Sequence, residues 1–393
     1  MKVELAELIH VRLPLVRPFR TSYGVDTDRD TFLLRVVTDT AEGWAEYSGD
    51  PAPLYSTEFT ASAELALQDH LIPAVTRSGQ VTAARVGPAV AAVKGHQLAK
   101  AVLETAILDA ELRGHGMSFA TYLGAVRDRV PAGVSVGITD TLPELLEAVS
   151  AYLADGYARI KLKIEPGWDI EPVAAVRREF GDELALQVDA NTAYSLADAE
   201  HLRRLDEFGL VLIEQPLADD DLRGHAELGR RLRTPICLDE SIRSARDAAT
   251  AIAMGACRIV NIKPARVGGY LEARRVHDTC AANGVPVWCG GMLETGVGRA
   301  GNLALAALPG FVLPGDVSAS RRYYAEDLTP PFELENGHLR VPDGPGTGVT
   351  LLPGPLARHT VSRREIYAGR PATFATSAGP AGSARASSSE PGQ

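Results

Sequence analysis

Apolar and polar residues alternate with a period of two in parts of the first 50 residues, as in Thr31-Phe32-Leu33-Leu34-Arg35-Val36-Val37, with Gly43 following. That pattern predicts a short antiparallel sheet. From His96 to Arg113 the period becomes helical, with Leu103, Ala106, Ile107 and Ala110 recurring at helical intervals and Gly114 as the expected stop. The first third therefore reads as an α+β module. From about residue 131 a third rhythm begins, in which an apolar run is followed by a helical stretch, a Gly or Pro, and another run. The runs are 130–138, 158–164, 184–188, 210–213, 236–238, 258–262, 285–288 and 311–313, with one about every 25 residues. Ser195 with Asp198 and Ser244 with Asp247 have the spacing of capping boxes at helix starts. Repeated strand–helix units imply parallel strands with right-handed crossovers. Eight in succession favour a closed (β/α)8 barrel over an open sheet.

After Asp316 short strand and turn signals return up to about Tyr367, as if the chain goes back to complete the first module. The expected organisation is an α+β domain at 1–125, a barrel at 126–320, a returning segment at 321–368 and a tail at 369–393. The tail is rich in Ala, Ser, Gly and Pro with Phe374 its only aromatic, and it is expected to stay disordered. The composition, 45% hydrophobic and 23% charged, supports a large core, and a net charge of −10 argues against nucleic acid or an anionic membrane as a partner. No window approaches the ~18 apolar residues of a membrane span, and Glu4, Glu7 and Arg12 fall where a signal peptide would be apolar. A cytoplasmic protein is expected. Cys237, Cys257, Cys280 and Cys289 form no CxxC, which suits reduced structural thiols.

Chemistry shows in what closes the predicted strands: Lys161-Leu162-Lys163, Gln187-Val188-Asp189-Ala190-Asn191, Ile213-Glu214-Gln215-Pro216, Leu238-Asp239-Glu240 and Asn261-Ile262-Lys263-Pro264. Lys163, Asp189, Glu214, Asp239 and Lys263 follow one another at steps of 26, 25, 25 and 24 residues. In a barrel the C-terminal strand ends share one face, where active sites sit. One mouth thus receives a cation, three anions and a cation. A single charge at a strand end is ordinarily a solvated or paired surface group, but five at the strand period are not. Three carboxylates in a small volume repel unless a cation lies among them, and an all-oxygen set suits a hard ion such as Mg²⁺ or Mn²⁺. Asp189, Glu214 and Asp239 are therefore expected metal ligands, with coordination left open for water or a substrate carboxylate. Lys163 and Lys263 come from the second and sixth strands, opposite in an eight-stranded barrel. They can take a proton from one face of a substrate carbon and return one to the other. An ordinary lysine is a poor base at neutral pH, so Lys161 and the metal are expected to lower its pKa. Lys161 itself points the same way as Lys163 one layer deeper, either as a helper or as part of a buried ion pair.

These residues, as KLK at 161–163, VDAN at 188–191, IEQP at 213–216, LDES at 238–241 and NIKPARVGG at 261–269, resemble the enolase superfamily, whose lysine base and Mg²⁺ pattern is established. More narrowly, PICLDESI, VWCGGMLETGVGRAGNLALAALPGF and PGDVSAS are similar to the o-succinylbenzoate synthase and N-succinylamino acid (N-acylamino acid) racemase group of the muconate-lactonising subgroup. The resemblance runs from residue 1 to about 367. It implies a (β/α)8-type barrel, a modified TIM barrel, capped by an α+β domain built from the N-terminal part and the C-terminal segment. It places the metal ligands on Asp189, Glu214 and Asp239 and the acid/base lysines on Lys163 and Lys263, with Lys161 as the first Lys of the KxK motif. Asn191 supports the metal site, which takes Mg²⁺, Mn²⁺ or Co²⁺. Ser135, Gly291, Met292, Leu293 and Tyr323 fall on the substrate side. Phe19 and Tyr55, on loops of the cap, are either lid and specificity residues or aromatics at the domain interface. The Arg321-Arg322 pair beside Tyr323 either favours a doubly anionic substrate or is a surface pair.

The activity so implied is abstraction of a proton α to a carboxylate of a small molecule. It would serve racemisation of N-succinyl or other N-acylamino acids and dehydration to o-succinylbenzoate, and a homo-oligomer is expected. Both reactions begin from one enediolate, so the residues leave open which is physiological. A dedicated o-succinylbenzoate synthase of menaquinone biosynthesis is the first alternative, and a dipeptide epimerase or cycloisomerase on the same barrel is another. A non-catalytic scaffold would predict a broken ligand or lysine set, and none is missing.

Overall fold

The computed structural model describes residues 1–369. It opens with a long hairpin of β1 (Val3–Thr21) and β2 (Gly24–Thr38), and β3 (Glu42–Glu46) pairs with the other edge of β2. The hairpin is much longer than the apolar alternation foretells. Beyond Pro14 the ladder resumes with Phe19, Arg20 and Thr21 opposite Asp26, Val25 and Gly24. That tip is held by backbone pairing, which leaves no trace in the hydrophobic pattern. The helix Gln97–His115 lies against β3. At Gly43 a Cβ would stand 2.0 Å from the Ala106 carbonyl oxygen, so only glycine lets the helix backbone come this close. The helix does not stop at Gly114. It ends at Gly116, whose left-handed φ of 65° lets its N–H cap the Arg113 and Leu112 carbonyls.

The rhythm after residue 131 becomes a parallel sheet. The first predicted strand splits into β4 (Arg129–Pro131) and β5 (Gly133–Val136). Then follow β6 (Arg159–Lys163), β7 (Leu186–Asp189), β8 (Ile213–Glu214), β9 (Ile236–Leu238), β10 (Ile259–Ile262) and β11 (Val287–Cys289). Strands β5 to β11 pair in sequence order as one curled seven-stranded sheet. Of the two capping boxes expected between strands, Ser195 and Asp198 cap each other, whereas at Ser244 only half forms: the Asp247 N–H donates to the Ser244 hydroxyl at 3.1 Å, and the Asp247 carboxylate accepts from the Arg243 N–H instead.

The eighth predicted strand, 311–313, is not a strand but a run of isolated bridges. Phe311 bridges Val287 and Gly315 bridges Ala132. The Gly133 N–H donates to the Gly315 carbonyl at 2.7 Å, and the Asp316 N–H to Cys289 at 2.9 Å. Pro314 in the middle has no N–H to continue a ladder. The chain then forms β12 (His338–Arg340), antiparallel to β4, and β13 (Thr360–Ala368), which joins β1 to give the order β13-β1-β2-β3. The low-complexity tail expected at 369–393 lies, apart from Gly369, outside the described residues. Among the described residues no helix is long and apolar enough to cross a membrane. All four cysteines are free and buried.

Candidate active site

Sheet register sorts the charged residues into rows. Lys163 on β6 is level with Asp189 on β7, which is level with Glu214 on β8. One pleat deeper, Lys161 is level with Ser135 on β5 and Gln187 on β7. Glu214 pairs with Cys237, so Asp239 stands two residues further along, just past β9. Lys263 follows β10 and precedes the short helix Pro264–Val267. Strand alternation turns these side chains to one face, and all are buried.

Lysines join the acids. Lys161 Nζ lies 2.6 Å from Asp316, 2.9 Å from Glu214 and 3.1 Å from Asp189, and 4.9 Å from the centre of the Trp288 ring. Lys161 is thus the hub of a buried ion-pair cluster. Lys163 Nζ donates to Asp189 at 2.7 Å and to Asn191 Oδ1 at 2.5 Å. Lys263 Nζ meets Asp239 at 2.8 Å and donates to the Tyr55 hydroxyl at 2.8 Å. Asn191 extends the chain by donating to Glu240 at 2.9 Å, and Asn261 donates to Glu214 at 2.6 Å.

Burial is the first influence on the acids. It pushes the Glu214 carboxyl up to about 8, helped by the neighbouring Asp189 and opposed by Lys161. Asp239 is likewise raised by burial against the pull of Lys263. At Asp189 burial is outweighed by Lys163 and Lys161, which hold the carboxyl below its usual range. At Lys263 the expected lowering is reversed. Burial disfavours the ammoniums of Lys161 and Lys263, but the carboxylates around them outweigh burial and hold both above the ordinary value.

The donor chemistry fits a divalent cation. Asp189, Glu214 and Asp239 offer buried carboxylate oxygens, and Asp239 Oδ1 and Glu240 Oε2 have no hydrogen-bond partner. Arg266 Nε approaches Asp239 Oδ1 at 3.2 Å, an ion pair without hydrogen-bond geometry. Among the described residues no three His, Cys, Asp or Glu side chains converge on a common metal-binding point. Lysine ammoniums stand between the acids instead.

Beside the acids lies a small cavity. Lys161, Lys163 and Lys263 line it, and so do Asn191, Phe19, Tyr55, Ser135, Gly291, Met292, Leu293 and Tyr323. The expected substrate-side residues are therefore brought together around one cavity, whereas Asp189, Glu214 and Asp239 are not among its lining residues. Tyr55 does more than fill an interface, since its hydroxyl also bonds Arg266 and lies 3.3 Å from Asp239. The Arg321-Arg322 pair divides: Arg321 is exposed and pairs with Asp155, while Arg322 is buried beside Phe19 and Tyr323.

Several residues of the site escaped the sequence reading. Glu240 and Asn261 stood inside the strand-end motifs and were legible by the same period. Asp316 follows the irregular bridge segment and has no such signal. Tyr23, Asp26 and Asp50 reach the cavity wall from the N-terminal hairpin and the loop after β3, and burial lifts Asp26 to about 6.

Comparison with known proteins adds an independent observation. Residues 144–354 match the family described as enolase C-terminal domain-like. The chain is 62% identical to an N-succinylamino acid racemase from an Amycolatopsis species, over 92% of this chain and 99% of that protein. It is 46% identical to an o-succinylbenzoate synthase from Geobacillus kaustophilus, over 92% of this chain and 96% of that one. Among solved structures, an enolase superfamily member from Listeria innocua superposes with a TM-score of 0.89 at 42% identity, covering 93% of this chain and 99% of that one.

Proposed function

Because the chain belongs to the enolase C-terminal domain-like family, we propose that it is an enzyme that moves the proton α to a carboxylate. It racemises N-succinyl and other N-acylamino acids and also carries out the dehydration that yields o-succinylbenzoate. One observation carries the reading: Lys163 and Lys263, from the ends of β6 and β10 with three strands between them, line a single cavity. The bridge segment 311–316, bonded to both β11 and the start of β5, supports an eighth stave and hence a closed barrel with one mouth.

Asp189, Glu214 and Asp239 would hold the divalent ion, Mg²⁺ or in its place Mn²⁺ or Co²⁺. When bound, the ion would supply positive charge to the substrate carboxylate and the enediolate. Lys163 and Lys263 hold or accept the proton at Nζ, each on its own face of the α-carbon. Asn191 fixes Lys163 Nζ, and the Tyr55 hydroxyl fixes Lys263 Nζ. In dehydration Lys163 takes the α-proton and returns it to the β-hydroxyl, which leaves as water as its C–O bond breaks, and Lys263 stays an ammonium that stabilises the developing negative charge. Phe19 and Tyr55 close the cavity from the cap and exclude water.

Polarimetry on an N-succinylamino acid, beside absorbance of o-succinylbenzoate, tests this. Both reactions are expected with Mg²⁺, Mn²⁺ or Co²⁺ and should be lost after exhaustive chelation. Full activity in excess chelator, or neither reaction with any of the three metals, would overturn the assignment.

A further inference from the structure

A second pocket adjoins the main cavity at Phe19, which lines both. Arg322 lines the second pocket and is only 8% exposed. Among the described residues it has no ion-pair partner. Its Nη2 donates to the Ser135 carbonyl at 2.8 Å, and its Nε has no hydrogen-bond partner at all. The guanidinium lies over the rings of Tyr323, Tyr152 and Phe19, with its carbon 4.9, 5.0 and 5.6 Å from their centres. Aromatic faces offset part of a cation's desolvation but leave its charge uncancelled. Its neighbour Arg321 is the contrast, exposed and paired with Asp155 at 3.1 Å. On the other side, Ser135 lines the main cavity, and its Oγ is buried without a partner. Ser135 thus offers an unused hydroxyl on the substrate's side of the wall while its carbonyl holds Arg322.

We propose that the second pocket takes the distal carboxylate of the substrate's N-acyl chain and that Arg322 is its counter-charge, so that Arg322 selects acyl groups ending in a second carboxylate. The inference rests on the N-acylamino acid reading above and adds the residue that tells one acyl group from another. The acyl carbonyl meets Ser135 Oγ, and the chain passes Phe19, the partition between the two spaces. Glu144 and Glu147 also border the second pocket, as does Arg17, but all three are exposed and screened by solvent. The buried guanidinium is the charge an incoming carboxylate meets at full strength.

The test compares N-succinyl and N-succinamoyl forms of one amino acid, alike in shape and different only in the terminal charge. With the metal-loaded enzyme, wild type should favour the succinyl form by roughly tenfold or more in kcat/KM, the penalty of leaving a built polar site unpaired. Arg322→Gln should collapse that ratio, Arg322→Lys should retain part of it, and Arg321→Gln should leave it as in wild type. A general loss of folded protein lowers both substrates together and cancels in the ratio, so a merely structural role for Arg322 would not move it. A wild-type ratio near one overturns the proposal without any variant, and so does an unchanged ratio in Arg322→Gln. If wild type turned over neither substrate, the racemase reading would fall and take this proposal with it.

Discussion

Lys161 is the residue whose removal the centre tolerates least. Its ammonium is the only cation shared by Asp316, Glu214 and Asp189 among the described residues. Removing one partner of a buried ion pair leaves uncompensated charge and costs about 3–5 kcal/mol, whereas an exposed pair is worth about 0–1 kcal/mol. Lys161→Met should therefore lower stability in urea by about 3–5 kcal/mol, while Arg203→Gln, which breaks the exposed pair with Glu200, should stay within about 0.5 kcal/mol of wild type. A Lys161→Met variant as stable as wild type would show that the acids do not depend on this ammonium. The layer of Lys161 was legible because strand alternation fixes it two residues below Lys163. Its tightest partner, Asp316, was not, since it enters from a segment of isolated bridges beyond Pro314 that has no period to read.

Among the elements, the helix Gln97–His115 shows where local pattern runs out. Its helical spacing announced it, and its end was missed by two residues because Gly114 and Gly116 look alike in sequence. Its start has no cap of its own: His96 sits at a left-handed φ of 53° and its side chain makes no cap bond. Glu58, about 40 residues earlier, supplies the cap instead, accepting from the Leu98 N–H at 2.9 Å and the Ala99 N–H at 2.6 Å. No capping motif spans that separation, so only the fold reveals it. Burial pushes the Glu58 carboxyl from 4.5 up to about 7, although both N–H groups favour the ionised form. The folded state then keeps a proton that the unfolded chain has already released. Its contribution to stability must fall as pH climbs from about 4.5 to about 7 and stay level above. Glu58→Gln, neutral throughout, should lack that slope, so the stability difference between wild type and variant should change across this interval. Denaturant titrations at several pH values read it directly, and a pH-independent difference would contradict the assignment.

Across the whole molecule, the parallel sheet was legible because the strand–helix units repeat at a nearly constant step and five consecutive strands close in charged residues. The steps of 26, 25, 25 and 24 residues became neighbouring strands with Lys163, Asp189 and Glu214 in one register row. The antiparallel sheet was less legible, because its hairpin tip and the return of β13 to β1 depend on backbone pairing across the length of the chain. That tip carries Phe19 to the cavity. In the proposed reaction Lys163 and Lys263 face one α-carbon from opposite sides. Proton exchange in D₂O, with the divalent metal present, tests this most directly. Wild type should exchange the α-proton of both enantiomers of an N-succinylamino acid. Lys163→Ala and Lys263→Ala should each lose racemisation yet keep exchanging one enantiomer, and the two variants should choose opposite ones. Racemisation at the wild-type rate by either variant, or exchange of the same enantiomer by both, would contradict the two-lysine account.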